Sequence, residues 1–160
     1  MPFSFFHERF PEIGERETRC LMVLPRSDAE LPAGEYAFLD MYCDEVGCDC
    51  RRVFLFVLAQ HLPGPQAVIA WGWEDLSFYR DWFKYGDDDD ARLLKAPALN
   101  LGSPETEHSP KLLDLASEML LSDPDYVERI KRHYQMFRED VEGRSRPRRK
   151  SPKRRKRRRR

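Results

Sequence analysis

Three of the four cysteines in this chain fall within eight residues, at Cys43, Cys48 and Cys50, in the spacing C-x4-C-x-C. A loop this small lets several sulfurs converge on one ion at about 2.3 Å without a large ordering cost. Gly47 lies inside the loop and can supply the positive φ that such a turn often needs. The spacing therefore predicts a metal-binding cysteine knuckle, the name used below for residues 43–50.

The residues that follow the knuckle favour metal binding over other thiol chemistry. Arg51 and Arg52 come directly after the last cysteine, and their charges favour the thiolate form that binds metal. Tetrahedral Zn²⁺ is the expected ion, although sulfur-rich sites also accept iron. Two alternatives stay open: ordinary thiols in a hairpin, or a reactive redox or nucleophilic thiol at Cys48 or Cys50.

A tetrahedral site needs a fourth ligand, for which the chain has several candidates. Cys20 is the first, because a hairpin between its strand and the strand ending at Cys43 would place it at the knuckle end of the sheet; a buried core cysteine is the alternative. His61 lies roughly 36 Å further along an extended strand, so we expect it at the far end. The remaining candidates are His108, Asp44 and Asp49.

The C-terminal residues 144–160 form a second chemically distinctive segment, with thirteen Lys or Arg and no acidic residue. Like charges at this density repel, which predicts a disordered basic tail. Each phosphate that the tail neutralises would release counterions, so attachment to nucleic acid or the ribosome would be salt-sensitive and blind to sequence. No aromatic residue interleaves the cations, so base stacking is not expected. The predicted nucleic-acid-binding residues are Arg144, Arg146, Arg148, Arg149, Lys150, Lys153, Arg154, Arg155, Lys156, Arg157, Arg158, Arg159 and Arg160.

The charge of the remaining chain is opposite to that of the tail. The formal net charge is +0, yet residues 1–143 hold only fifteen basic residues against 28 acidic ones. The alternative role of the tail is therefore to solubilise the protein and fold back on this acidic body. The acidic body could also bind a partner protein, and in a eukaryote the tail could be a nuclear import signal.

Composition predicts one folded domain over residues 1–143. Three Trp, six Tyr and ten Phe are enough for a single sizeable core. No apolar run approaches the roughly 18–20 residues that span a bilayer, and the N-terminus lacks the pattern of a signal peptide. We expect a cytoplasmic protein, or a nuclear one in a eukaryote, with no membrane partner. High Arg and Pro content is typical of a GC-rich bacterium.

Hydrophobic periodicity predicts four strands, at residues 20–24, 35–43, 53–59 and 67–73. The second of these alternates, which places one set of side chains on each face of the sheet. The apolar run at 53–59 has no alternation, as expected for a central strand covered on both faces. Residues 1–18 are predicted to be irregular, with phenylalanines as packing anchors.

Four helices are predicted after the strands. They cover residues 75–85, a segment opened by the carboxylates 87–90, the apolar stripe around 112–120, and the stretch after Ser122-Asp123-Pro124. Residues 97–110 are predicted to form a loop. Strands followed by helices predict an α+β fold, with a small antiparallel sheet, C-terminal helices and the basic tail.

Other clusters favour structural roles over chemical ones. The carboxylates 87–90 are typical of a solvated helix start, and His133 of a packed or surface histidine. A set of aromatic residues could line a ligand pocket, although core packing is favoured. Phosphate-loop, dinucleotide-binding, nucleophile-elbow and HExxH motifs are absent, so no catalytic residue is predicted. The aromatic set comprises Trp71, Trp73, Tyr79, Trp82 and Phe83.

The stretch Tyr42-Cys43, followed by Cys48-Asp49-Cys50-Arg51-Arg52-Val53, resembles a group of uncharacterised bacterial proteins that share a YC-x4-CDCR-x-V core. Residues 34–38, 71–74 and 126–134 are also similar to that group, so the resemblance covers most of residues 18–140. Several members end in an SEC-C module, a small cysteine-rich zinc motif that contacts partner proteins. This chain ends instead in Arg, Lys and Pro, with no cysteine. The resemblance implies a structured cysteine site and no particular activity.

These observations lead to three functional hypotheses. The first is a non-enzymatic, metal-stabilised module whose tail attaches it to nucleic acid or a ribonucleoprotein. The second is a metal- or thiol-dependent enzyme of unknown substrate, because a three-ligand zinc with bound water would have the same sequence. The third is a protein–protein adaptor with a solubilising tail.

Overall fold

An antiparallel sheet of six strands forms the centre of the computed structural model, which describes residues 2–145. The strand order is β1-β3-β4-β5-β6, and β2 pairs with the same edge of β3 as β1 does. The strands are β1 Phe3–Phe5, β2 Arg19–Val23, β3 Gly34–Cys43, β4 Arg52–Ala59, β5 Ala67–Gly72 and β6 Ala98–Leu99. The helices are α1 Phe6–Arg9, α2 Pro11–Glu17, α3 Leu76–Trp82, α4 Asp88–Lys95, α5 Ser109–Met119 and α6 Pro124–Ser145.

The two faces of the sheet carry two separate hydrophobic cores. The main core lies between the sheet and α5 and α6, and its members include Phe38 and Leu55 from the sheet and Leu112 and Phe137 from the helices. The second face carries a smaller cluster whose buried members are Met41, Phe54, Val68 and Ala70. Strand β4 is paired on both sides and buried along most of its length, which confirms the predicted central strand. The α+β class is confirmed as well.

The first eighteen residues differ from the predicted irregular segment, because they include β1, α1 and α2. Phe3 stacks on Phe54 with ring centroids 4.3 Å apart, and Phe6 is fully buried. Pro11 begins α2, a position where its missing N–H removes no helical hydrogen bond. The two helices have four and seven residues, which is too short for a hydrophobic repeat to be visible in the sequence.

The carboxylates 87–90 start a helix, as predicted. The Asp87 side chain accepts hydrogen bonds from the backbone N–H groups of Asp89 and Asp90, and the Asp90 side chain accepts from the N–H of Asp87. This capping box satisfies donors that have no partner inside the helix. The acidic run is thus explained by α4 itself.

Helix α6 extends two residues beyond the predicted domain boundary at residue 143. Arg144 lies in its last turn, with Nε 3.0 Å from Asp140 Oδ2, so this arginine belongs to the helix and not to the tail. The predicted nucleic-acid-binding residues from Arg146 to Arg160 lie outside the described residues. Among the helices of residues 2–145, none combines the length and the apolar character needed to cross a membrane.

His133 is buried, which decides between the packed and the surface histidine that the sequence leaves open. Its ring stacks on Phe6 at 3.9 Å, Nδ1 lies 2.7 Å from Asp40 Oδ2, and Nε2 lies 2.6 Å from Glu17 Oε2. Burial alone would raise the pKa of Glu17, but hydrogen bonds from His133 and Arg132 outweigh burial and hold the pKa below its usual value. Hydrogen bonds to Glu17 thus link the end of α2 to α6.

The variant Glu17→Gln should lower the free energy of unfolding by about 1–3 kcal/mol near neutral pH, because it weakens hydrogen bonds at a buried histidine. A lowered folded-state pKa contributes stability above the unfolded pKa and loses it as pH falls through the folded value. The difference from wild type should therefore shrink as urea unfolding is repeated from about pH 7 down to about pH 3. Glu15→Gln, exposed on the same helix, is the matched control. A difference that stays constant with pH would contradict this role of the ionised Glu17.

Candidate metal centre

The three cysteines of the knuckle come together in space. The Sγ atoms of Cys43, Cys48 and Cys50 all lie within 4.8 Å of one another. Tetrahedral Zn²⁺ with sulfur ligands at about 2.3 Å would set sulfur–sulfur distances of about 3.8 Å. Small side-chain shifts are thus enough for the three sulfurs to share one ion. The cluster is close enough to bind a metal, as the spacing predicts.

Two strand ends and one tight turn position these thiols. Cys43 is the last residue of β3, Cys50 precedes β4 by two residues, and both are fully buried. Cys48 lies in the turn between them and is partly exposed. Gly47 has φ 77°, which confirms the positive φ predicted for this position, and its N–H donates to Glu142 Oε1 at 2.7 Å.

One face of α6 holds the knuckle through Tyr134, Arg138 and Glu142, which are spaced four residues apart. Arg138 donates from Nη1 to the carbonyl of Cys43 at 2.8 Å and from Nη2 to that of Glu45 at 2.9 Å. Its Nη2 also lies 2.6 Å from Glu142 Oε1, the oxygen that accepts from Gly47. The Tyr134 hydroxyl accepts from the Arg51 N–H and lies 3.1 Å from Asp49 Oδ1.

Sequence reasoning missed the contacts that Tyr134, Arg138 and Glu142 make with the knuckle. The available signal is their common spacing, since residues four apart share one face of a helix. Two charged side chains on that face interrupt the apolar stripe of α6. Charges placed on the core side of a helix need buried partners, and here those partners are the knuckle backbone.

The thiols differ in how readily they ionise. The Cys50 thiol, the Cys48 thiol and the Glu45 N–H donate hydrogen bonds to the Cys43 sulfur, and with the Arg138 charge they lower the pKa of Cys43 to about 6 against the effect of burial. Burial and the neighbouring Cys43 sulfur raise the pKa of Cys48, and hydrogen bonding to Cys43 together with burial raises that of Cys50. A bound cation would replace the protons of the Cys48 and Cys50 thiols.

Arg51 has a different role from the one expected of it. Its guanidinium lies 2.9 Å from Asp49 Oδ2 and 3.3 Å from Glu74 Oε1, so nearby carboxylates neutralise its charge. The cation that lowers the pKa of Cys43 is Arg138, which is distant in sequence. Arg51 instead shapes the backbone, with φ 48° at the entry to β4.

The prediction that Cys20 completes the site is corrected by the register of the sheet. Cys20 lies opposite Ala37, six residues from Cys43 along β3, which corresponds to roughly 20 Å. Strand β1 occupies the knuckle end of that edge, where Phe3 pairs with Cys43. Strand β2 therefore begins too far from the knuckle, and Cys20 is exposed there.

The other candidate fourth ligands are also separate from the cluster. His61 packs edge-on against Tyr36 with ring centroids 5.2 Å apart, at the far end of the sheet as predicted. His108 stands at the start of α5, and the Asp49 carboxylate accepts from Arg51 and Tyr134. Within residues 2–145, the side chains of His61, His108, Asp44 and Asp49 all lie outside the group formed by the three sulfurs. No other Cys, His, Asp or Glu side chain of these residues joins that group.

Comparison with known proteins adds no relative: no family model, curated protein or solved structure matches this chain. The resemblance to the proteins with the YC-x4-CDCR-x-V core stays a prediction. The function of this chain is therefore inferred from the geometry of the three cysteines and from the charge of the chain.

Proposed function

We propose that this protein is a non-enzymatic module stabilised by one Zn²⁺ at Cys43, Cys48 and Cys50, with a basic tail that attaches it to nucleic acid or a ribonucleoprotein. The proposed metal site is supported by the convergence of the three Sγ atoms, which lie within 4.8 Å of one another. Thiolate sulfur is the ligand type that structural zinc sites use most. The cysteine core of the resembling bacterial proteins agrees with this proposal.

The position of the cluster supports a structural role for the ion. The cysteines join the end of β3 to the start of β4, and α6 contacts the loop between them through Arg138. An ion here would tie two central strands together beside the longest helix. Three thiolates and one Zn²⁺ carry a net negative charge, which the nearby guanidinium of Arg138 would partly offset.

The charge distribution supports attachment through the tail. Residues 1–145 carry an excess of acidic groups and would repel phosphates, whereas residues 146–160 carry twelve cations. Attraction to a polyanion must therefore come from the tail. Its lack of aromatic side chains favours contact with the phosphate backbone over reading of bases.

Elemental analysis of the purified protein tests the metal site. Wild type should contain about one zinc per chain, and Cys43→Ser, Cys48→Ser and Cys50→Ser should each lose most of it, because serine is a poor ligand for zinc. Cys20→Ser, which removes a thiol outside the cluster, is the matched control and should keep its zinc. The same measurement would report iron if iron were the ion. Wild-type protein that neither contains nor takes up metal would refute the proposal.

One observation favours a second candidate, a metal-dependent enzyme. The described chain supplies three ligands, and a three-ligand zinc leaves a position for water or substrate. X-ray absorption spectroscopy would count sulfur against oxygen or nitrogen ligands and show whether water occupies that position. Against catalysis, Cys43 and Cys50 are fully buried, and five of the cavities in residues 2–145 are lined by other residues.

A further inference from the structure

The second face of the sheet contains a buried cation, Arg52, that has no carboxylate partner. Arg52 is 7% exposed, and it forms no ion pair within the part of the chain that the structure describes. A buried charge normally needs a partner of opposite sign, because removing it from water costs several kcal/mol. The absence of such a partner in residues 2–145 calls for a physical explanation.

Two contacts orient the Arg52 guanidinium and leave its outer edge free. The Nε donates to the carbonyl of Leu94 at 2.9 Å, and the guanidinium carbon lies 5.1 Å from the centroid of the Phe54 ring. The Nη1 and Nη2 groups donate no hydrogen bond to residues 2–145. These two nitrogens form the planar fork that binds a carboxylate through two parallel hydrogen bonds.

The free edge of Arg52 faces a cleft made of two adjoining cavities, each of about 360 Å³, which share Arg52, Asn100 and Leu101. We call this the Arg52 cleft. Its other walls are mainly apolar and include Phe3, Phe54, Phe83, Leu94 and Leu99.

Two apolar residues at the rim of the Arg52 cleft are exposed to solvent. Phe83, which the sequence assigns to core packing, is 40% exposed, and Leu101 is 91% exposed. Apolar side chains at the mouth of a cleft are typical of sites that a ligand covers.

The only carboxylate that lines the cleft is already engaged. Asp90 accepts from the Asp87 N–H at 3.1 Å as part of the capping box of α4, and it does not pair with Arg52. Arg52 is therefore the one cation among the residues that line the cleft, and its Nη1 and Nη2 groups are free to bind an anion.

We propose that the Arg52 cleft binds a small organic monocarboxylate with an apolar body. The carboxylate would lie on the Nη1 and Nη2 fork of Arg52, and the apolar body would lie between Phe54 and Leu101. The volume of each cavity falls in the range typical of small-molecule sites, roughly 300–1,000 Å³. A phosphate dianion fits less well, because one guanidinium within apolar walls and an acidic domain would leave its second charge without compensation.

Titration calorimetry with full-length protein and 2-naphthoate tests this site. Wild type should bind with a dissociation constant on the order of 100 µM, as expected for a ligand of this size. The neutral isostere 2-naphthamide should bind at least about tenfold more weakly, because it cannot form charge-assisted hydrogen bonds with the fork. Equal affinity for the two compounds, no binding of naphthoate, or preferential binding of inorganic phosphate would each overturn the proposal.

Substitutions test whether naphthoate binds in the Arg52 cleft. Arg52→Met should weaken naphthoate binding about ten- to hundredfold, since it removes hydrogen bonds to a charged group. Arg92→Met, on the exposed face of α4, should leave binding unchanged. Leu101→Glu changes an exposed rim residue without disturbing the core and should also weaken binding, so the test survives if Arg52→Met does not fold. Normal naphthoate binding by Leu101→Glu or by folded Arg52→Met would refute the site.

Arg52 follows Cys50 by two residues, so the metal site is the competing explanation for this cation. The zinc content of folded Arg52→Met separates the two roles. Zinc equal to that of wild type, together with weakened naphthoate binding, supports a ligand site. Loss of zinc with naphthoate binding intact would overturn the proposal and assign Arg52 to the metal centre.

Discussion

Removing the proposed Zn²⁺ from this protein should lower its free energy of unfolding by several kcal/mol, on the order of 5. Isolated zinc-finger peptides gain about 10–16 kcal/mol from the ion, because without it they have no core. Here the main core between the sheet and α5 and α6 does not involve the cysteines, so the metal-free protein should keep its fold. Urea unfolding with and without a chelator measures the difference.

Two variants show whether the chelator acts through the knuckle. Cys50→Ser should already have the lower stability and should not respond to the chelator, whereas Cys20→Ser should respond as wild type does. Amide hydrogen exchange should rise locally in the knuckle and in the turn of α6 that contains Arg138, because these segments contact each other. An equal response to the chelator in all three proteins would show that the chelator acts elsewhere.

The affinity for zinc should fall steeply with decreasing pH, because protons compete with the metal for the thiolates. The pKa of Cys43 is about 6 without metal, so this residue is mostly ionised at neutral pH. Cys48 and Cys50 have raised pKa values and must each release a proton. Two released protons correspond to about a hundredfold loss of affinity per pH unit near neutrality. Competition titration with a zinc indicator at several pH values measures this slope, and a flat profile would argue against thiolate ligation.

Deleting residues 146–160 should abolish the proposed binding of nucleic acid at low salt. If the tail neutralises on the order of six to ten phosphates, the affinity of the full-length protein for duplex DNA should fall by about 10³–10⁵ between about 50 and about 200 mM salt. Cutting after Ser145 preserves α6 and the pair between Arg144 and Asp140, so the truncated protein keeps every described element. Gel-shift or fluorescence-anisotropy titrations over a salt series measure the effect.

A full-length variant with the Lys and Arg of residues 146–160 replaced by Gln separates charge from chain length. It should behave as the truncated protein does, because the proposed interaction depends on cations and not on chain length. Unrelated duplex sequences should bind with similar affinity. Equal, salt-insensitive binding by the full-length and truncated proteins would refute attachment through the tail.

Several features of the candidate site could be predicted because their causes are local in sequence. The spacing of Cys43, Cys48 and Cys50 around a glycine limits how far apart the sulfurs can be, and the sulfurs lie within 4.8 Å. The alternation of residues 35–43 places Tyr36, Phe38, Asp40 and Tyr42 on one face of β3, and all four are buried. Asp87 caps α4, whose first residue follows it directly.

Errors in prediction arose where distant segments meet. Nothing near Cys20 indicates that β1 occupies the edge of β3 beside Cys43, and that pairing alone removes Cys20 from the site. Arg138 contacts the carbonyl of Cys43 across 95 residues, a separation that no local pattern encodes. The short helices α1 and α2 depend on the burial of Phe6 against His133 and the sheet, because helices of this length are not stable alone.

The sequence by itself determined the cluster of thiols, the order of the main strands and helices and the opposite charges of body and tail, because each depends on residues close together in the chain. Only the tertiary structure decided that three and not four candidate ligand side chains come together within residues 2–145, that Arg138 is the cation beside them, and that Arg52 faces an open cleft. Those properties depend on strand register, on the docking of α6 beside the knuckle and on the positions of α4 and β6 beside Arg52, which are set by the summed packing of many distant side chains.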